Sequence, residues 1–398
     1  MSNNKLRIFI VHNYYQHQGG EDIVFENEAE KLSENHNVRT FTAKNSSGKK
    51  GFIQFLKYPW NQRATRKIIR KIEQFQPDVV HIHNLHYAIG LLLIRRLNQL
   101  QIPHVLTLHN YRILCPSATL YHKGELFKKS LKQSFPYSAL FRRVHNQSFL
   151  KTFWIAFTYF LHKKIRSWHP HTHFIALTDF AKNIFVNSSL GVPASRFFIK
   201  ANFVERPEPH SAELIKRGNH FLYVGRLSEE KGILRFINSI KDSPHTLKII
   251  GAGPHEKEIT AIAKQYPKKI IYLGYQNREA IFTEMSLCTA LIMPSVWYEG
   301  MPLTLLEAFA SSTPVLGSNL GVLKELISPG HTGLLFDPYN TKSIQKAADK
   351  WLSLNYKDKI SKNCLSEYKK KYSPEVIMNQ LINIYQEISI KKLEKNES

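Results

Sequence analysis

The sequence predicts an α/β protein with two doubly wound parallel sheets, one in each of two domains that face each other across a cleft. The chain has 398 residues, which is too long for one ordinary core and suits two domains of roughly 150–200 residues each. Short β-branched and apolar runs alternate with longer helical stretches from end to end. The alternation stops at a polar patch that contains Pro207 and Pro209, and then begins again.

The predicted strands are apolar on both faces, as in parallel sheets that helices cover on each side. In the first half we predict strands over Leu6–Val11, Val38–Thr42, Asp78–His83, His104–Leu108 and Thr172–Leu177, and helices that include Asp22–Leu32 and Ala64–Phe75. In the second half we predict strands over His220–Val224, Leu247–Ile250, Ile270–Leu273, Ala290–Met293 and Pro314–Leu316.

These elements predict the domain boundaries. Residues 1–205 form a first Rossmann-like domain, 206–219 a linker and 220–375 a second Rossmann-like domain. Residues 376–398 form a C-terminal helix and basic tail that could pack back on the first domain. Ligands of such folds bind at the carboxyl ends of the strands, so we expect the chemistry in the cleft.

The composition argues against several other classes. Three widely separated cysteines without a C-x-x-C pair indicate neither a disulfide framework nor a zinc site, and they fit a reducing cytoplasm. The N-terminus shows no apolar signal segment. The apolar stretch Phe153–Leu161 is far shorter than the roughly 20 residues of a spanning helix. We therefore expect a cytoplasmic protein, either soluble or peripheral on the inner face of the membrane.

The charge balance indicates an anionic partner. The formal net charge is +24, and the segment Lys123–His169 holds ten Lys or Arg, one acid and many aromatic residues. Such a mixture suits an anionic membrane surface. A basic face over ordinary helix core is the alternative. Nucleic acid would explain the charge but none of the motifs below, so we do not expect it as a partner.

The strongest motif is the stretch from Trp297 to Ala308. A loop after a strand leads through Gly300, Met301, Pro302 and Leu303 into a helix that begins near the proline. Backbone amides at a helix start can bind phosphate or sugar oxygens. Glu299 and Glu307 could accept hydrogen bonds from two hydroxylated parts of one ligand. Taken singly, each glutamate is more often a cap or a surface residue.

Glycine-rich turns follow three other predicted strands. Gly225, Arg226 and Lys231 come after the first strand of the second domain, where two cations could bind a diphosphate. The pairs Gly251 and Gly253, and Gly19 and Gly20, come after other strands and allow close approach of the backbone to a ligand. Tight turns also need glycine without any ligand, and the two cations could be solvated surface residues.

Histidines lie at two neighbouring strand ends of the first domain. His109 ends the strand that begins at Pro103, at the mouth of the predicted cleft. His81 and His83 share one face of the neighbouring strand, with His86 close behind. No cysteine or carboxylate lies nearby in sequence, so we do not expect a metal. We expect His83 to line the cleft and His81 to pack in the core.

Together these motifs resemble the GT-B glycosyltransferases of family 4, retaining enzymes with an E-x7-E motif, over nearly the whole chain. The stretch from His109 to Pro116 is similar to transferases of bacterial cell-surface polysaccharide assembly. The resemblance implies that the first domain contacts the acceptor and that the second binds the nucleotide sugar. It further implies that Glu299 lies near the donor sugar and Glu307 at the ribose, with Arg226 and Lys231 at the diphosphate. It also implies a donor-sugar contact for His109, although Asn110 replaces the aspartate that usually follows.

The resemblance gives an expected set of site residues. The expected catalytic residues are His109, Arg226, Lys231 and Glu299. The expected donor-binding residues are Gly19, Gly20, Gly225, Gly251, Gly253, Gly300, Met301, Pro302, Leu303 and Glu307.

The predicted reaction moves a hexose-type sugar from a UDP-, GDP- or ADP-sugar to a glycan or lipid-linked acceptor, with retention. The sequence has no Asp-x-Asp pair for a divalent cation, so we expect metal-independent transfer without a cofactor. Glu21 is the candidate nucleophile for a double displacement, but it resembles a loop residue, so we favour front-face transfer. A nucleotide-sugar epimerase and a non-catalytic, transferase-like scaffold subunit remain the alternatives.

Overall fold

The computed structural model describes residues 5–16, 18–206 and 217–396. The predicted linker falls mostly outside these ranges, as do the last two residues of the predicted tail. The chain divides into two compact units. The first unit comprises Met1–Thr119, Lys128–Asn202 and Ile377–Ser398, and the second comprises Leu120–Phe127 and Phe203–Val376.

The strands, in chain order, are β1 Arg7–Tyr14, β2 Asn37–Lys44, β3 Val79–Ile82, β4 His104–Leu108, β5 Tyr121–His122, β6 Glu125–Leu126, β7 Thr172–Ala176, β8 Phe197–Ile199, β9 His220–Val224, β10 Thr246–Ile250, β11 Ile270–Tyr272, β12 Ala290–Met293, β13 Val315–Ser318 and β14 Gly333–Phe336.

The α-helices are α1 Gly20–Asn35, α2 Gly48–Lys57, α3 Gln62–Phe75, α4 Leu92–Gln99, α5 Tyr137–Phe141, α6 Phe149–Lys164, α7 Asp179–Val186, α8 Ile233–Ile240, α9 Glu256–Gln265, α10 Arg278–Leu287, α11 Leu303–Ala310, α12 Gly321–Leu326, α13 Thr341–Ser353, α14 Lys357–Glu367 and α15 Pro374–Asn396. Short 3-10 turns cover Ala194–Arg196 and Glu229–Lys231, and a π-helical turn covers Tyr368–Tyr372.

Each unit contains a six-stranded parallel sheet, as the sequence predicts. The order in the first unit is β2-β1-β3-β4-β7-β8, and in the second it is β11-β10-β9-β12-β13-β14. In both sheets the order reverses direction beside the first strand, which defines a doubly wound sheet. The central strands β3, β4, β7, β12 and β13 are buried along their whole length, which explains why their sequences are apolar without alternation.

The C-terminal helix α15 completes the core of the first unit. Leu381, Ile384 and Ile388 pack in one buried cluster with residues of β1, β3, β4 and β7. Full burial of each such side chain contributes about 1.5–3 kcal/mol. The hydroxyl of Tyr385, in the same cluster, lies 2.7 Å from Nδ1 of His81. Helix α15 therefore contributes side chains to the core of the first unit.

The structure differs from the sequence prediction at the edges of the sheets. Strands β8 and β14, which lie at sheet edges, were not among the predicted strands. The β5–β6 hairpin groups with the second unit, although the sequence placed it inside the first domain. Within the described residues, no helix is long and apolar enough to cross a membrane.

Candidate functional site

Lys231 and Glu299 form an ion pair in the second unit. Nζ of Lys231 lies 2.8 Å from Oε1 and 3.1 Å from Oε2 of Glu299. The Ser295 hydroxyl donates a 2.6 Å hydrogen bond to Oε1. The Glu299 side chain is 5% exposed and that of Lys231 is 24% exposed. A buried carboxylate thus orients a cation that solvent can still reach.

Backbone contacts between two loops hold this ion pair. Strands β9 and β12 are neighbours in the sheet, so the loops that follow them lie side by side. The Val296 amide donates a 2.9 Å hydrogen bond to the Glu230 carbonyl. Gly232 has φ +69°, and a Cβ there would lie 2.0 Å from the Pro294 carbonyl oxygen. Glycine is therefore required at 232, and the close approach places Lys231 opposite Glu299.

Burial and pairing act in opposite directions on the pKa of the Glu299 carboxyl. Burial raises this pKa because the charged form loses its hydration. The charge of Lys231 and the hydrogen bonds from Lys231 and Ser295 act in the other direction, and the net pKa lies below the ordinary value of 4.5. Glu299 is therefore ionised at neutral pH and accepts hydrogen bonds.

Glu307 has a different environment from Glu299. It lies on α11, its side chain is 18% exposed, and Nε of Arg278 is 4.0 Å from its Oε1. Burial raises the pKa of this carboxyl above 4.5, and the charge of Arg278 only partly offsets the effect. Helix α11 begins at Leu303, with Pro302 as its N-cap, close to the predicted start. The E-x7-E spacing therefore places one glutamate before α11 and the other within it.

The glycines at 225, 251 and 253 have a packing role. A Cβ on Gly251 would lie 1.9 Å from the Gly225 carbonyl oxygen, and one on Gly253 would lie 2.6 Å from the Leu227 carbonyl oxygen. The Leu227 amide donates a 2.9 Å hydrogen bond to the Ala252 carbonyl. The turns after β9 and β10 are thus in direct backbone contact. This packing requires glycine whether or not a ligand binds.

Arg226 lies on the same loop as Lys231 but is exposed. No carboxylate of the described residues lies within ion-pair distance of its guanidinium group. Its carbonyl oxygen accepts a 2.7 Å hydrogen bond from the Tyr223 hydroxyl, which fixes the backbone at this position. The arrangement leaves the Arg226 side chain available to bind an anion.

The glycine loop of the first unit leads into α1. Gly19 is the N-cap residue, and its amide donates a 2.9 Å hydrogen bond to Oδ2 of Asp22. The other carboxylate oxygen of Asp22 lies 2.7 Å from Nε2 of His12. No atom outside the neighbouring residues lies within 4 Å of a Cβ placed on Gly19, so a ligand could approach its backbone. Gly20 is the first residue of the helix.

His109 contacts His83 at the carboxyl ends of β3 and β4. Nε2 of His109 lies 3.1 Å from Nδ1 of His83, and the rings stack with their centroids 5.3 Å apart. Burial, with smaller effects of Lys200 and His12, lowers the pKa of His109 to about 3. His109 is therefore neutral and can donate one hydrogen bond and accept another. His83 lines a cavity within the first unit, together with His109 and Asn110.

A buried ion pair that the sequence analysis did not identify lies behind these histidines. Oε1 of Glu28, on α1, accepts a hydrogen bond from Nζ of Lys200, and both side chains are fully buried. The other oxygen, Oε2, lies 3.6 Å from Nε2 of His83. In the sequence Glu28 appeared to be an ordinary helix residue. Asp22, Phe25 and Glu28 follow one another at intervals of three residues on α1. This spacing is the one signal that could have indicated that Glu28 faces the sheet.

Glu28, His81 and His83 form a group whose ligand atoms lie within 4.8 Å of one another. The nitrogens of His81 already lie 2.7 Å from the Tyr385 hydroxyl and 2.7 Å from the Thr107 hydroxyl. The ammonium group of Lys200, bonded to Oε1 of Glu28, would also repel a metal ion bound at Oε2. The group therefore fits a buried ion pair with packed histidines better than it fits a metal site.

Glu21 and Asn110 form a second contact that the sequence analysis missed. Nδ2 of Asn110 donates a 2.6 Å hydrogen bond to Oε1 of Glu21, and the Tyr15 hydroxyl donates one of 3.0 Å to Oε2. An aspartate at 110 would place two carboxylates in contact. The amide of Asn110 therefore orients Glu21. The sequence had indicated only that a carboxylate is missing at position 110.

Family models match both halves of the chain. The model described as Glycosyltransferase Family 4 matches residues 16–205, and the model described as Glycosyl transferases group 1 matches residues 205–372. Together the two glycosyltransferase models match residues 16–372, which supports a GT-B glycosyltransferase of the family 4 type. The boundary between the two matches falls at Glu205, within three residues of Phe203, where the main segment of the second unit begins.

The curated relatives of this chain match over part of their length. An uncharacterized glycosyltransferase of Methanocaldococcus jannaschii is 30% identical over 175 residues, which are 43% of this chain and 49% of that protein. The O-antigen chain mannosyltransferase C of Escherichia coli is 22% identical over 171 residues, which are 42% of this chain and 46% of that protein. The chain spans about half the length of the curated relatives that it matches first.

Solved structures of glycosyltransferases share the GT-B fold of this chain. A lipopolysaccharide outer core galactosyltransferase has a TM-score of 0.64 at 17% identity, with 96% of this chain and 100% of that chain covered. The Anabaena protein HepE in complex with UDP-glucose has a TM-score of 0.65 at 15% identity, with 96% and 100% covered. At these identities the likeness shows the fold alone.

Proposed function

We propose that this glycosyltransferase moves a hexose-type sugar, with retention, from a nucleotide-diphosphate donor to a glycan or lipid-linked acceptor of cell-surface polysaccharide or lipopolysaccharide. The observation that carries the proposal is the Lys231–Glu299 ion pair beside the start of α11. It combines a partly exposed cation, a buried ionised carboxylate and a helix N-terminus, and together these suit a phosphorylated sugar.

Each group of the second unit has a proposed role. Lys231 and Arg226 bind the diphosphate and stabilise the charge that grows on it as the glycosidic bond breaks. Glu299 accepts hydrogen bonds from the sugar hydroxyls, and Glu307 accepts them from the ribose. When Lys231 turns toward the diphosphate, Ser295 still holds Glu299 through its 2.6 Å hydrogen bond. Donor contacts of His109, Gly19 and Gly20 stay predictions.

The proposed chemistry needs no protein nucleophile. The bond between the anomeric carbon and the diphosphate oxygen breaks, and the acceptor oxygen bonds to the same face of that carbon. The departing diphosphate takes the proton of the acceptor hydroxyl. Lys231 and Arg226 neutralise the charge of the diphosphate, so no metal ion is needed in this proposal. Glu21 is already held by Asn110 and Tyr15, which suits a positioning group better than a nucleophile.

The proposed acceptor and pathway rest on the activities of the relatives. One relative is an O-antigen chain mannosyltransferase, and another, from Salmonella typhimurium, is a lipopolysaccharide N-acetylglucosaminetransferase. A solved structural neighbour was crystallised with UDP-glucose. These names favour a cell-surface glycan as the product and a UDP-hexose as the first donor to test.

The first unit has a surface that suits an anionic membrane. Large apolar side chains are exposed on α2, in the loop after it, on α5 and at the start of α6: Phe52, Ile53, Leu56, Trp60, Tyr137, Phe141, Phe149, Leu150 and Phe153. Exposed cations lie on the same elements: Lys49, Lys50, Lys57, Arg142, Arg143 and Lys151. Nε1 of Trp154 donates a 2.8 Å hydrogen bond to the Phe55 carbonyl, which ties α6 to α2.

We call this set of residues the apolar–cationic face. The face includes α2 in addition to residues of the predicted membrane segment Lys123–His169. Residues 123–127 of that segment group with the second unit. Aromatic rings enter the headgroup region, and each cation near an anionic surface contributes about 1 kcal/mol. We propose that the face docks on the inner leaflet, where a lipid-linked acceptor would lie.

Thermal stabilisation by nucleotide sugars tests the donor part of the proposal. A ligand that binds only the folded state raises the melting temperature, so UDP-, GDP- and ADP-glucose can be compared directly. We expect one base to stabilise the protein and Lys231→Gln to abolish the effect. Lys248→Gln is the control, since Lys248, on β10 of the same sheet, forms a similar ion pair with Glu284 of α10, at 2.8 and 3.1 Å. If no nucleotide stabilises the protein, the proposal is wrong.

A further inference from the structure

The cavity of the first unit that His83 and His109 line extends to residues outside the donor-binding motifs. Its polar wall includes Tyr58, His86, Asn110, Arg112, Tyr159 and Trp168. A second, smaller cavity adjoins it and shares Arg112, Ile113 and Tyr159 with it. Both cavities are lined by residues of the first unit alone.

Arg112 brings a positive charge into the wall of both cavities. Among the described residues, no carboxylate lies within ion-pair distance of its guanidinium group. Glu21 is the acid that interacts with it electrostatically, but both carboxylate oxygens of Glu21 already accept hydrogen bonds from Asn110 and Tyr15. Arg112 is therefore a partly buried cation without a dedicated counter-ion.

Hydroxyl groups and an unpartnered imidazole surround this charge. The hydroxyls of Tyr58 and Tyr159 lie 2.6 Å apart in the cavity wall. The His86 side chain is 3% exposed, and no protein group of the described residues forms a hydrogen bond with either ring nitrogen. The same is true of Nε1 of Trp168, which is 2% exposed. Buried polar groups are nearly always hydrogen-bonded, so these atoms indicate a polar ligand in the cavity.

We propose that this cavity binds the acceptor substrate and that Arg112 holds a phosphate group of that acceptor. The inference rests on the proposed function, since it names the acceptor class of the same enzyme. A planar guanidinium group binds two phosphate oxygens at once, and tyrosine hydroxyls and a neutral imidazole can donate to the remaining oxygens. Leu91 and Ile94, also in the wall, supply an apolar surface for the carbon skeleton.

The wall of the cavity also relates it to the apolar–cationic face. Tyr159 lies on α6, and the start of this helix exposes Phe149 and Leu150. A phosphate carried by a lipid could therefore reach Arg112 while its chain stays at the membrane. A soluble sugar phosphate offers the same chemistry to Arg112, so the experiment has to distinguish these two sources.

The first experiment measures binding of glucose 1-phosphate and of UDP by calorimetry. We expect Arg112→Gln to weaken glucose 1-phosphate at least about tenfold and to leave UDP unchanged. The double variant Arg226→Gln/Lys231→Gln should do the reverse. Arg63→Gln, which removes an exposed charge from the same unit, should change neither affinity.

Unchanged UDP binding also shows that Arg112→Gln is folded. If UDP binds but glucose 1-phosphate binds equally well with and without Arg112, the inference is wrong and the proposed function stands. If none of UDP, GDP and ADP binds, the proposed function fails; if GDP or ADP binds in place of UDP, the same comparison is made with that nucleotide.

A second variant tests the charge at the site. Glu21→Gln removes the acid that interacts with Arg112, so we expect glucose 1-phosphate to bind more tightly, by about threefold or more. Weaker binding would contradict the assignment of Arg112 as the phosphate ligand, because loss of a nearby negative charge cannot weaken an anion site electrostatically.

The source of the phosphate follows from a comparison of two probes. One is glucose 1-phosphate in solution, and the other is a polyprenyl phosphate in phosphatidylcholine vesicles, which carry no net surface charge of their own. A larger loss on Arg112→Gln for the polyprenyl phosphate assigns a lipid-borne acceptor, and a larger loss for glucose 1-phosphate assigns a soluble one. An equal affinity of the wild type and the variant for both probes would overturn the proposal.

Discussion

Nζ of Lys231 lies 2.8 Å from Oε1 of Glu299, although the two residues are 68 positions apart in the chain. One sits after β9 and the other after β12, and neighbouring parallel strands bring their loops together at the carboxyl edge of the sheet. Lys231 and Glu299 thus form one group, although in the sequence they belong to two separate motifs. The predictions below test what holds this group and what it does.

Gly232 sets the distance between the two loops. Gly232→Ala must force a φ of +69° on a residue with a Cβ and create a contact of 2.0 Å with the Pro294 carbonyl oxygen. We expect a loss of unfolding free energy of more than about 2 kcal/mol, measured by urea unfolding. Gly274→Ala is the control, since Gly274 has the same φ of +69° and no atom within 4 Å of the added Cβ. This control should lose only about 1 kcal/mol. Equal losses would show that the loop contact is unimportant.

The two glutamates should respond to pH in opposite directions. The folded-state pKa of Glu299 is lowered, so its ionised form stabilises the fold above pH 4.5, and this stability is lost as the pH falls through the folded-state pKa. Glu299→Gln should therefore be less stable than the wild type at pH 7, and the difference should shrink in acid. Melting temperatures between pH 3 and pH 8 measure this.

For Glu307 the folded-state pKa is raised, so stability is lost as the pH rises through it. Glu307→Gln should gain stability relative to the wild type as the pH rises from 4 to 8, in the same series of melting curves. If both variants follow the same trend, the assignment of different environments to the two glutamates is wrong.

Lys200 and Glu28 form a buried pair in the first unit. Lys200→Met leaves a buried carboxylate without its cation and should cost about 3–5 kcal/mol of unfolding free energy. Glu28→Gln/Lys200→Met removes both charges, so it should recover much of that loss. Urea unfolding of the wild type, both single variants and the double variant gives the coupling. A double variant as unstable as the sum of the single variants would show that the pair is not coupled.

The apolar–cationic face should bind anionic vesicles. Phe141 and Leu150 are 75% and 77% exposed, so Phe141→Ser/Leu150→Ser should weaken binding to phosphatidylglycerol vesicles by about tenfold without loss of stability. Tyr275→Ser is the control, since Tyr275 is 80% exposed and lies in the second unit. Vesicle sedimentation measures both. Unchanged binding of the double variant would leave the face an ordinary basic surface.

Local sequence signals were sufficient to predict the central strands. Strands β9 and β12 have the bounds that the apolar runs predict, because each is a short β-branched or apolar run that ends at a glycine or proline. Edge strands β8 and β14 were missed, although the equally short β11 and β12 were predicted.

The polar contacts behind the sites needed the structure. Glu28 and Lys200 lie 172 residues apart, and Glu21 and Asn110 lie 89 apart, so no local pattern shows that they meet. The motif glycines were found in the sequence, but only the structure shows that Gly251 and Gly253 are required by backbone packing between two turns. Residue type predicts chemistry, whereas the sheet topology decides which residues share a site.

The most direct test of the central claim is a calorimetric comparison of UDP with UMP on the wild type, Lys231→Gln and Lys248→Gln, repeated with the corresponding guanosine and adenosine nucleotides. The account predicts that the diphosphate of the preferred base binds at least about tenfold more tightly than its monophosphate. It also predicts that Lys231→Gln removes this advantage while Lys248→Gln keeps it. If no diphosphate is preferred, or if the preference survives in Lys231→Gln, the Lys231–Glu299 group is not the donor site.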